Sequence, residues 1–115
     1  MAGSEQTLIA INRVRADRAD EFEDYLRTVV VPATRGQRPD LDGRWRVLRA
    51  TGPEDGVVVF AFVCEGGLPT DWELRPIFEA SFGAEGADRA MERFGDLLMK
   101  RQEGWFLTPM QLDAG

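Results

Sequence analysis

A short apolar segment near the start of the chain constrains the fold most. Residues 8–14, LIAINRV, carry aliphatic side chains on both faces of an extended strand: Leu8, Ala10 and Val14 on one face, Ile9 and Ile11 on the other. A strand of this kind must be covered on both sides. Asn12 is the exception, because a buried amide without a partner costs about 1–3 kcal/mol. Asn12 must therefore find partners or face a cavity, which makes it the first candidate for a functional residue.

The next segment is predicted to be a helix that begins at Asp17. Asp17 suits the N-cap position, and the acidic residues that follow favour the positive end of the helix dipole. Apolar residues recur three and four positions apart along one face: Phe22, Tyr25, Leu26, Val29 and Val30. Pro32 disfavours helical geometry at Val31, so we expect the helix to end or kink there and residues 33–43 to form a loop.

Two strands joined by a turn are expected next. Residues 44–50 alternate, with Trp45, Val47 and Arg49 on one face and Arg46 and Leu48 on the other. Residues 51–56, TGPEDG, have the composition of a turn. Residues 57–64 are continuously apolar, which is typical of a central strand. Together these segments predict a β-hairpin.

A second helical region and a last strand complete the predicted order. Thr70 and Glu73 form a capping-box pattern, and Pro76, which lacks an N–H, is expected to kink or split the helix that they begin. Gly83 is expected to end the first piece, and a longer helix to run from residue 84 to about residue 100. Residues 105–112 are predicted to form a strand, and Pro109 assigns it to a sheet edge.

The order strand, helix, strand, strand, helix, strand predicts an α+β ferredoxin-like fold with a four-stranded antiparallel sheet. Strands one and three should be central and strands two and four at the edges. The 115 residues suit a single domain, with a core at about residues 7–112. Helices cover only one face of such a sheet, although aliphatic residues lie on both. A second copy of the chain is therefore expected on the other face, in a homodimer.

The amino-acid composition argues against several kinds of partner. The formal net charge of −6 opposes binding to nucleic acid. The chain has no His, and so lacks the usual general base near neutral pH and the commonest metal ligand; we expect no metal. Cys64 is the only cysteine, and no apolar run reaches the ~20 residues of a membrane span, so we expect a cytoplasmic protein without a membrane partner. Lys100 is the only Lys beside many Arg residues, which suggests a GC-rich bacterial genome.

Two features of the chain resemble a known family. One is the segment INRVRADRADEFEDYL, in which Asn12 is followed by Arg13 and by a helix that opens into EFE; the other is Trp72 at the start of the second helical region. They resemble the dimeric α/β-barrel superfamily, within it the antibiotic-biosynthesis monooxygenase-like group, which also includes haem-degrading enzymes. In that family an Asn and a Trp so placed line a pocket between sheet and helices that holds an aromatic substrate and dioxygen. The resemblance implies these roles for Asn12 and Trp72.

The resemblance also implies an activity. Haem-degrading relatives ligate iron through a His on the second helix, and the corresponding neighbourhood here, near Phe82, contains no His. Cofactor-independent relatives oxidise phenolic polyketides, whose own carbanion reduces dioxygen. The implied function is therefore a cofactor-independent oxygenase acting on an aromatic or polyketide-type molecule. A cyclase or isomerase of a similar substrate and a non-catalytic ligand-binding dimer are the alternatives, because fold alone does not choose among them.

Nine residues are candidates for the site. Asn12, Trp72 and Arg75 are the catalytic candidates; Arg75 shares a helix face with Asp71 and Glu79, four residues away on either side. For this trio a solvated ion-pair ladder is the alternative, and for Trp72 it is packing. The candidates for substrate binding are Tyr25, Trp45, Phe78, Glu79, Phe82 and Trp105. Tyr25 could instead pack in the core, and Trp45 and Trp105 could belong to a dimer interface.

Overall fold

The computed structural model describes residues 6–112. The strands are β1 (Thr7–Arg15), β2 (Trp45–Arg49), β3 (Val57–Glu65) and β4 (Glu103–Leu107). The α-helices are α1 (Ala19–Tyr25), α2 (Val31–Gln37) and α3 (Leu74–Leu97). A π-helical turn (Leu26–Val30) joins α1 to α2, and short 3₁₀ helices lie at Ala16–Arg18, Pro39–Leu41 and Pro69–Trp72.

The four strands form one antiparallel sheet in the order β2-β3-β1-β4. The central pair runs in register from Thr7 opposite Glu65 to Arg15 opposite Val57. The predicted α+β ferredoxin-like fold is confirmed, with strands one and three at the centre and strands two and four at the edges. The hairpin of β2 and β3 is confirmed as well.

The core lies between one face of the sheet and the helices. Every second residue from Ala10 to Val14 on β1 and from Val58 to Cys64 on β3 is buried, as the period of two requires. Phe22 of α1 packs edge-on against Phe60 of β3, with ring centroids 4.8 Å apart. The aromatic contacts therefore tie the first helix to the middle of the sheet.

The first helical region is longer than predicted. The N–H of Val31 donates to the carbonyl of Leu26, five residues earlier, and Val31 keeps helical angles (φ −65°, ψ −48°). The wider π-helical turn accommodates Pro32, so the chain remains helical to Gln37. Of the two predicted possibilities near Val31, the helix does not end there but has an irregular, wider turn, and residues 33–37 of the predicted loop at residues 33–43 are helical. Asp17 lies in the 3₁₀ helix before α1, and its side chain does not cap α1.

The second helical region is broken at Gly83, as predicted, but Pro76 does not kink or split it. Pro76 lies in the first turn of α3, where its missing N–H needs no partner. The break is at Gly83, whose angles (φ 77°, ψ 174°) are accessible almost only to glycine. The capping box of Thr70 and Glu73 does not form; instead the N–H of Leu68 donates to Oδ2 of Asp71 at 2.7 Å. The helix ends at Leu97 rather than near residue 100.

The other face of the sheet carries no helix among residues 6–112. Aliphatic and aromatic side chains alternate onto it from all four strands: Ile9, Ile11, Leu48, Val59, Ala61, Val63, Trp105 and Leu107. Of these, Leu48, Trp105 and Leu107 are each 50 % exposed. This surface, called the outer sheet face below, leaves apolar area open to solvent. No helix within residues 6–112 has the length and apolar character needed to cross a membrane.

Candidate functional site

A cavity of about 370 Å³ lies between the inner face of the sheet and the helices. Its volume falls in the range of small-molecule sites. Strands and helices far apart in the chain contribute its wall, which is mainly aliphatic and aromatic: Leu8, Ala10, Thr34, Leu41, Trp45, Phe62, Cys64, Pro69, Trp72, Glu73, Leu74, Arg75, Ile77, Met91, Phe94, Gln102 and Phe106.

Two tryptophans stand in the wall in fixed positions. The Trp45 ring meets Phe62 edge-on, with centroids 6.1 Å apart. The Trp72 indole N–H donates to the carbonyl of Gly66 at 2.8 Å. At Gly67, with φ of 78°, an added Cβ would come within 2.9 Å of the Asp71 carboxylate, so glycine permits the loop to close over Trp72. Both tryptophans therefore present preorganised surfaces suited to a flat apolar ligand.

Asn12 lies behind the cavity wall rather than in it. Its side chain is fully buried, and its Nδ2 donates to the carbonyl of Phe60 at 3.1 Å. Its Oδ1 accepts a hydrogen bond from Nε2 of Gln102 at 2.7 Å, and Gln102 does line the cavity. The amide of Asn12 is thus connected to the cavity through Gln102.

Arg75 lies in the wall at the exposed end of the cavity, next to Glu73. Its guanidinium bonds to Asp88 at 2.9 Å and lies 3.7 Å from Glu79. The hydrogen bond with Asp88 is the main cause that raises the pKa of Arg75. Arg75 and Glu79 therefore belong to an exposed ion-pair group, of which Arg75 alone lines the cavity.

Asp71, the third member of the expected trio, has other partners. Its carboxylate accepts from the backbone N–H of Leu68 and from the guanidinium of Arg38 at 3.0 Å. These two bonds lower the pKa of Asp71, the backbone bond being the larger cause. Asp71 stabilises the turn that carries Trp72, and it is not part of the cavity wall.

The remaining predicted residues lie outside the cavity wall. Tyr25 is buried, and its hydroxyl donates to the carbonyl of Ala90 at 2.7 Å; burial raises its pKa. Phe78 is in the core, and Phe82 is 46 % exposed against it. Trp105 stands on the outer sheet face, opposite Ile9. Of the nine candidates, the structure brings together Trp45, Trp72 and Arg75 in the cavity wall.

Several lining residues were not expected from the sequence. Thr34 lies within residues 33–43, for which the sequence predicts a loop, and Gln102 lies in the connection between α3 and β4, which carries no periodic signal. Phe106 pairs with Leu8, so the alternation of β4 places it on the inner face and Trp105 on the outer one. That alternation was present in the sequence, but only the register relates it to the cavity.

The cavity contains few titratable groups. Cys64 of β3 is buried, and burial raises the pKa of its thiol to about 12, which keeps it protonated at neutral pH. Glu73 is the one carboxylate in the described wall. Within residues 6–112 no three or more His, Cys, Asp or Glu side chains are grouped to hold a metal ion. The arrangement suits binding of an uncharged, flat molecule with a few polar contacts.

Fold and cavity together define the class: an α+β ferredoxin-like protein with a cavity between its sheet and its helices. No protein-family model and no curated protein matches the chain. Solved structures do share the fold. A monooxygenase of Streptomyces coelicolor in complex with the ligand nanaomycin D has a TM-score of 0.53 and 14% identity, over 97% of this chain and 93% of its own.

Two further structures show the breadth of this fold. A candidate antibiotic biosynthesis monooxygenase of Caulobacter crescentus CB15 has a TM-score of 0.50 and 14% identity, covering 92% of this chain and 90% of its own. A NIPSNAP family protein of Agrobacterium tumefaciens has a TM-score of 0.59, also at 14% identity, with coverage of 95% and 96%. The resemblance to antibiotic-biosynthesis monooxygenase-like proteins is confirmed at the level of the fold. The same fold also occurs in a protein of another family, NIPSNAP.

Proposed function

We propose that this protein binds a flat aromatic molecule of polyketide type in the cavity and oxygenates it with dioxygen, without a metal, flavin or haem. The observation that carries the proposal is the cavity itself: a space of about 370 Å³ walled by two held tryptophans and further aromatic rings. The shared fold with proteins named as monooxygenases, one of them bound to nanaomycin D, supports the same class of ligand.

The proposed reaction converts an activated methylene of the substrate to a carbonyl. The methylene loses a proton, and the resulting carbanion supplies electrons to dioxygen. One oxygen atom forms the new carbon–oxygen bond; the O–O bond then breaks, and the other oxygen leaves as water with the two methylene hydrogens. Substrate and dioxygen therefore balance the reaction without another reductant. Glu73, the carboxylate of the described wall, is the proposed proton acceptor.

The proposed roles of the other residues follow from their positions. Trp45 and Trp72 hold the rings of the substrate, which fixes its reactive carbon relative to dioxygen. Gln102 offers its amide to a polar group of the substrate, and Asn12 positions Gln102 from behind. Arg75 favours negative charge on the substrate at the exposed end of the cavity. Asn12 is in this proposal a positioning residue.

Oxygen incorporation tests the proposal. Purified protein is incubated with anthrone and ¹⁸O₂, and the product is analysed by mass spectrometry. We expect one labelled oxygen per product and a loss of most turnover in Trp72→Ala. Phe82→Ala is the matched control, because Phe82 lies outside the cavity wall. Absence of label over a panel of phenolic tricycles would reject the oxygenase, and turnover of the same substrates without oxygen would indicate a cyclase or isomerase.

A non-catalytic ligand-binding protein is the second candidate. The observation in its favour is that Oδ1 and Nδ2 of Asn12, the residue that carries the family resemblance, both bond within the protein. In that case ligands bind in the cavity with no turnover of any of them. Binding without turnover, measured by tryptophan fluorescence, separates this candidate from the oxygenase.

We also propose that two chains pair through the outer sheet face. Its apolar residues from four strands, half exposed at Leu48, Trp105 and Leu107, suit a sheet-on-sheet contact. Sedimentation equilibrium should give twice the mass of the chain, and Ile11→Glu should give the monomer mass, with Ala84→Glu on an exposed helix position as the control. A monomer mass for the unchanged protein contradicts this proposal. With Cys64 buried as a free thiol, we place the dimer in the cytoplasm.

A further inference from the structure

A buried hydroxyl in the cavity wall makes no hydrogen bond. Thr34 of α2 is 4 % exposed, and its Oγ1 is the one buried side-chain polar atom without a partner among residues 6–112. A Thr in a helix commonly donates to the carbonyl four residues earlier. Thr28 does so, to the carbonyl of Asp24 at 2.8 Å, whereas Thr34 does not. Burying an unpaired hydroxyl is unfavourable, so Thr34 retains a hydrogen-bonding group inside the protein whose satisfaction would stabilise it.

Thr34 is one of the residues that line the cavity, so its unpaired hydroxyl belongs to a side chain next to the space that a ligand would fill. Three other side-chain donors of the wall already have partners in the protein. Trp72 donates its indole N–H to a carbonyl, Gln102 its amide N–H to a side-chain oxygen, and Arg75 its guanidinium to a carboxylate. Among residues 6–112, the Thr34 hydroxyl is the one buried side-chain N–H or O–H group of the wall that has no partner, so a ligand can use it without breaking a bond of the protein.

The surroundings of Thr34 select the kind of group that bonds to it. Leu41, also in the wall, is fully buried, and the charged residues of the wall, Glu73 and Arg75, are exposed. A charged ligand group placed at Thr34 would lose its hydration, and the neighbouring cation, Arg38, is already paired with Asp40 and Asp71, so this placement is strongly unfavourable. A neutral oxygen gains a hydrogen bond at no such cost.

We propose that the Thr34 hydroxyl donates a hydrogen bond to an uncharged carbonyl oxygen of the aromatic ligand, and so selects aryl ketones over the corresponding hydrocarbons. The proposal rests on the proposed function in one respect, namely that the cavity takes an aromatic molecule. It does not require that the molecule react.

Binding of two probes tests the proposal. 9-Fluorenone and fluorene have the same tricycle and differ in the carbonyl group. Their affinities are measured under argon by quenching of tryptophan fluorescence, since Trp45 and Trp72 line the cavity. The unchanged protein should bind fluorenone about 10-fold more tightly than fluorene, the effect of one hydrogen bond. Thr34→Val, which keeps the shape, should abolish this preference by weakening fluorenone alone, and Thr34→Ser should retain it.

The melting temperature of the ligand-free variants provides a second measurement. If the hydroxyl is unpaired in the free protein, Thr34→Val should melt at the same temperature as the unchanged protein or a few degrees higher. A lower melting temperature together with no preference for fluorenone would mean that the hydroxyl serves the fold, and would overturn the proposal. Equal affinity for both probes overturns this proposal but leaves aromatic binding intact. Failure of both probes to bind rejects the aromatic cavity, and with it the proposed function.

Discussion

Replacement of Asn12 by Ala tests the connection between the centre of the sheet and the cavity. The side chain makes two hydrogen bonds, to the carbonyl of Phe60 at 3.1 Å and from Gln102 at 2.7 Å. Each contributes about 1 kcal/mol to the free energy of unfolding, and a buried carbonyl left with one bond fewer adds up to about 1–2 kcal/mol. The exposed Gln102 amide can turn to water, so it adds nothing further. We expect Asn12→Ala to lose about 2–4 kcal/mol.

Thermal and urea unfolding, followed by tryptophan fluorescence, measure this loss. At about 4 °C per kcal/mol for a domain of this size, the melting temperature should fall by about 8–16 °C. Gln102→Ala completes a double-mutant cycle: it removes the second bond and leaves Oδ1 of the buried Asn12 without a partner, so we expect a loss of about 2–4 kcal/mol and about 8–16 °C. The double variant should lose at most a few tenths of a kcal/mol more than Asn12→Ala alone, because both substitutions remove the same bond.

Two results would refute this reasoning. A melting temperature of Asn12→Ala within about 2 °C of the unchanged protein would mean that the buried amide contributes little to stability. Fully additive losses in the double variant would mean that Asn12 and Gln102 are not coupled. In either case Asn12 could not position Gln102 as proposed.

Further variants test the backbone and the buried thiol. Gly83→Ala should destabilise the protein by about 1–3 kcal/mol in urea unfolding, because the angles at this residue exclude a side chain, whereas Gly95→Ala, with open space around its Cβ, should be neutral or stabilising by up to about 1 kcal/mol; equal effects would contradict the break in α3. Cys64 should resist iodoacetamide at pH 8 until the protein unfolds, and rapid labelling of the folded protein would contradict its burial. Burial raises the pKa of the Cys64 thiol from 9.0 to about 12, so as the pH rises the thiol ionises in the unfolded chain before it ionises in the folded one. The free energy of unfolding should therefore fall between pH 9 and pH 12, and it should fall less in Cys64→Ala, which has no thiol.

The order and type of the strands could be predicted because they depend on local patterns. Apolar residues on both faces of residues 8–14 and throughout residues 57–64 indicate central strands whatever their partners are. The predicted edge position of the last strand is correct, but its predicted bounds are not, because β4 is Glu103–Leu107 and Pro109 lies beyond its end. The topology then follows from the order of the elements.

Where the helices begin, end and break depends on local preferences that oppose one another. Pro32 disfavours a regular helix, yet one wider turn before it keeps the chain helical, and burial of Val30 and Ala33 favours that solution. Pro76 is harmless because the helix begins two residues before it, and the sequence does not mark that start. The break at Gly83 is predictable because glycine commonly ends a helix, and the angles found there are ones that glycine adopts readily.

By itself, the sequence determined the α+β fold, the central place of β1 and the inward direction of Asn12, since alternation along a strand needs no knowledge of distant residues. Only the tertiary structure decided which side chains meet in the cavity. Thr34, Gln102 and Phe106 reach it from three separate segments, and Asn12 is enclosed behind Gln102. These contacts depend on strand register and on helix ends. A shift of one residue in strand register exchanges the side chains that face the cavity for those on the opposite face of the sheet, and a shift of one residue in a helix turns its side chains by about 100°.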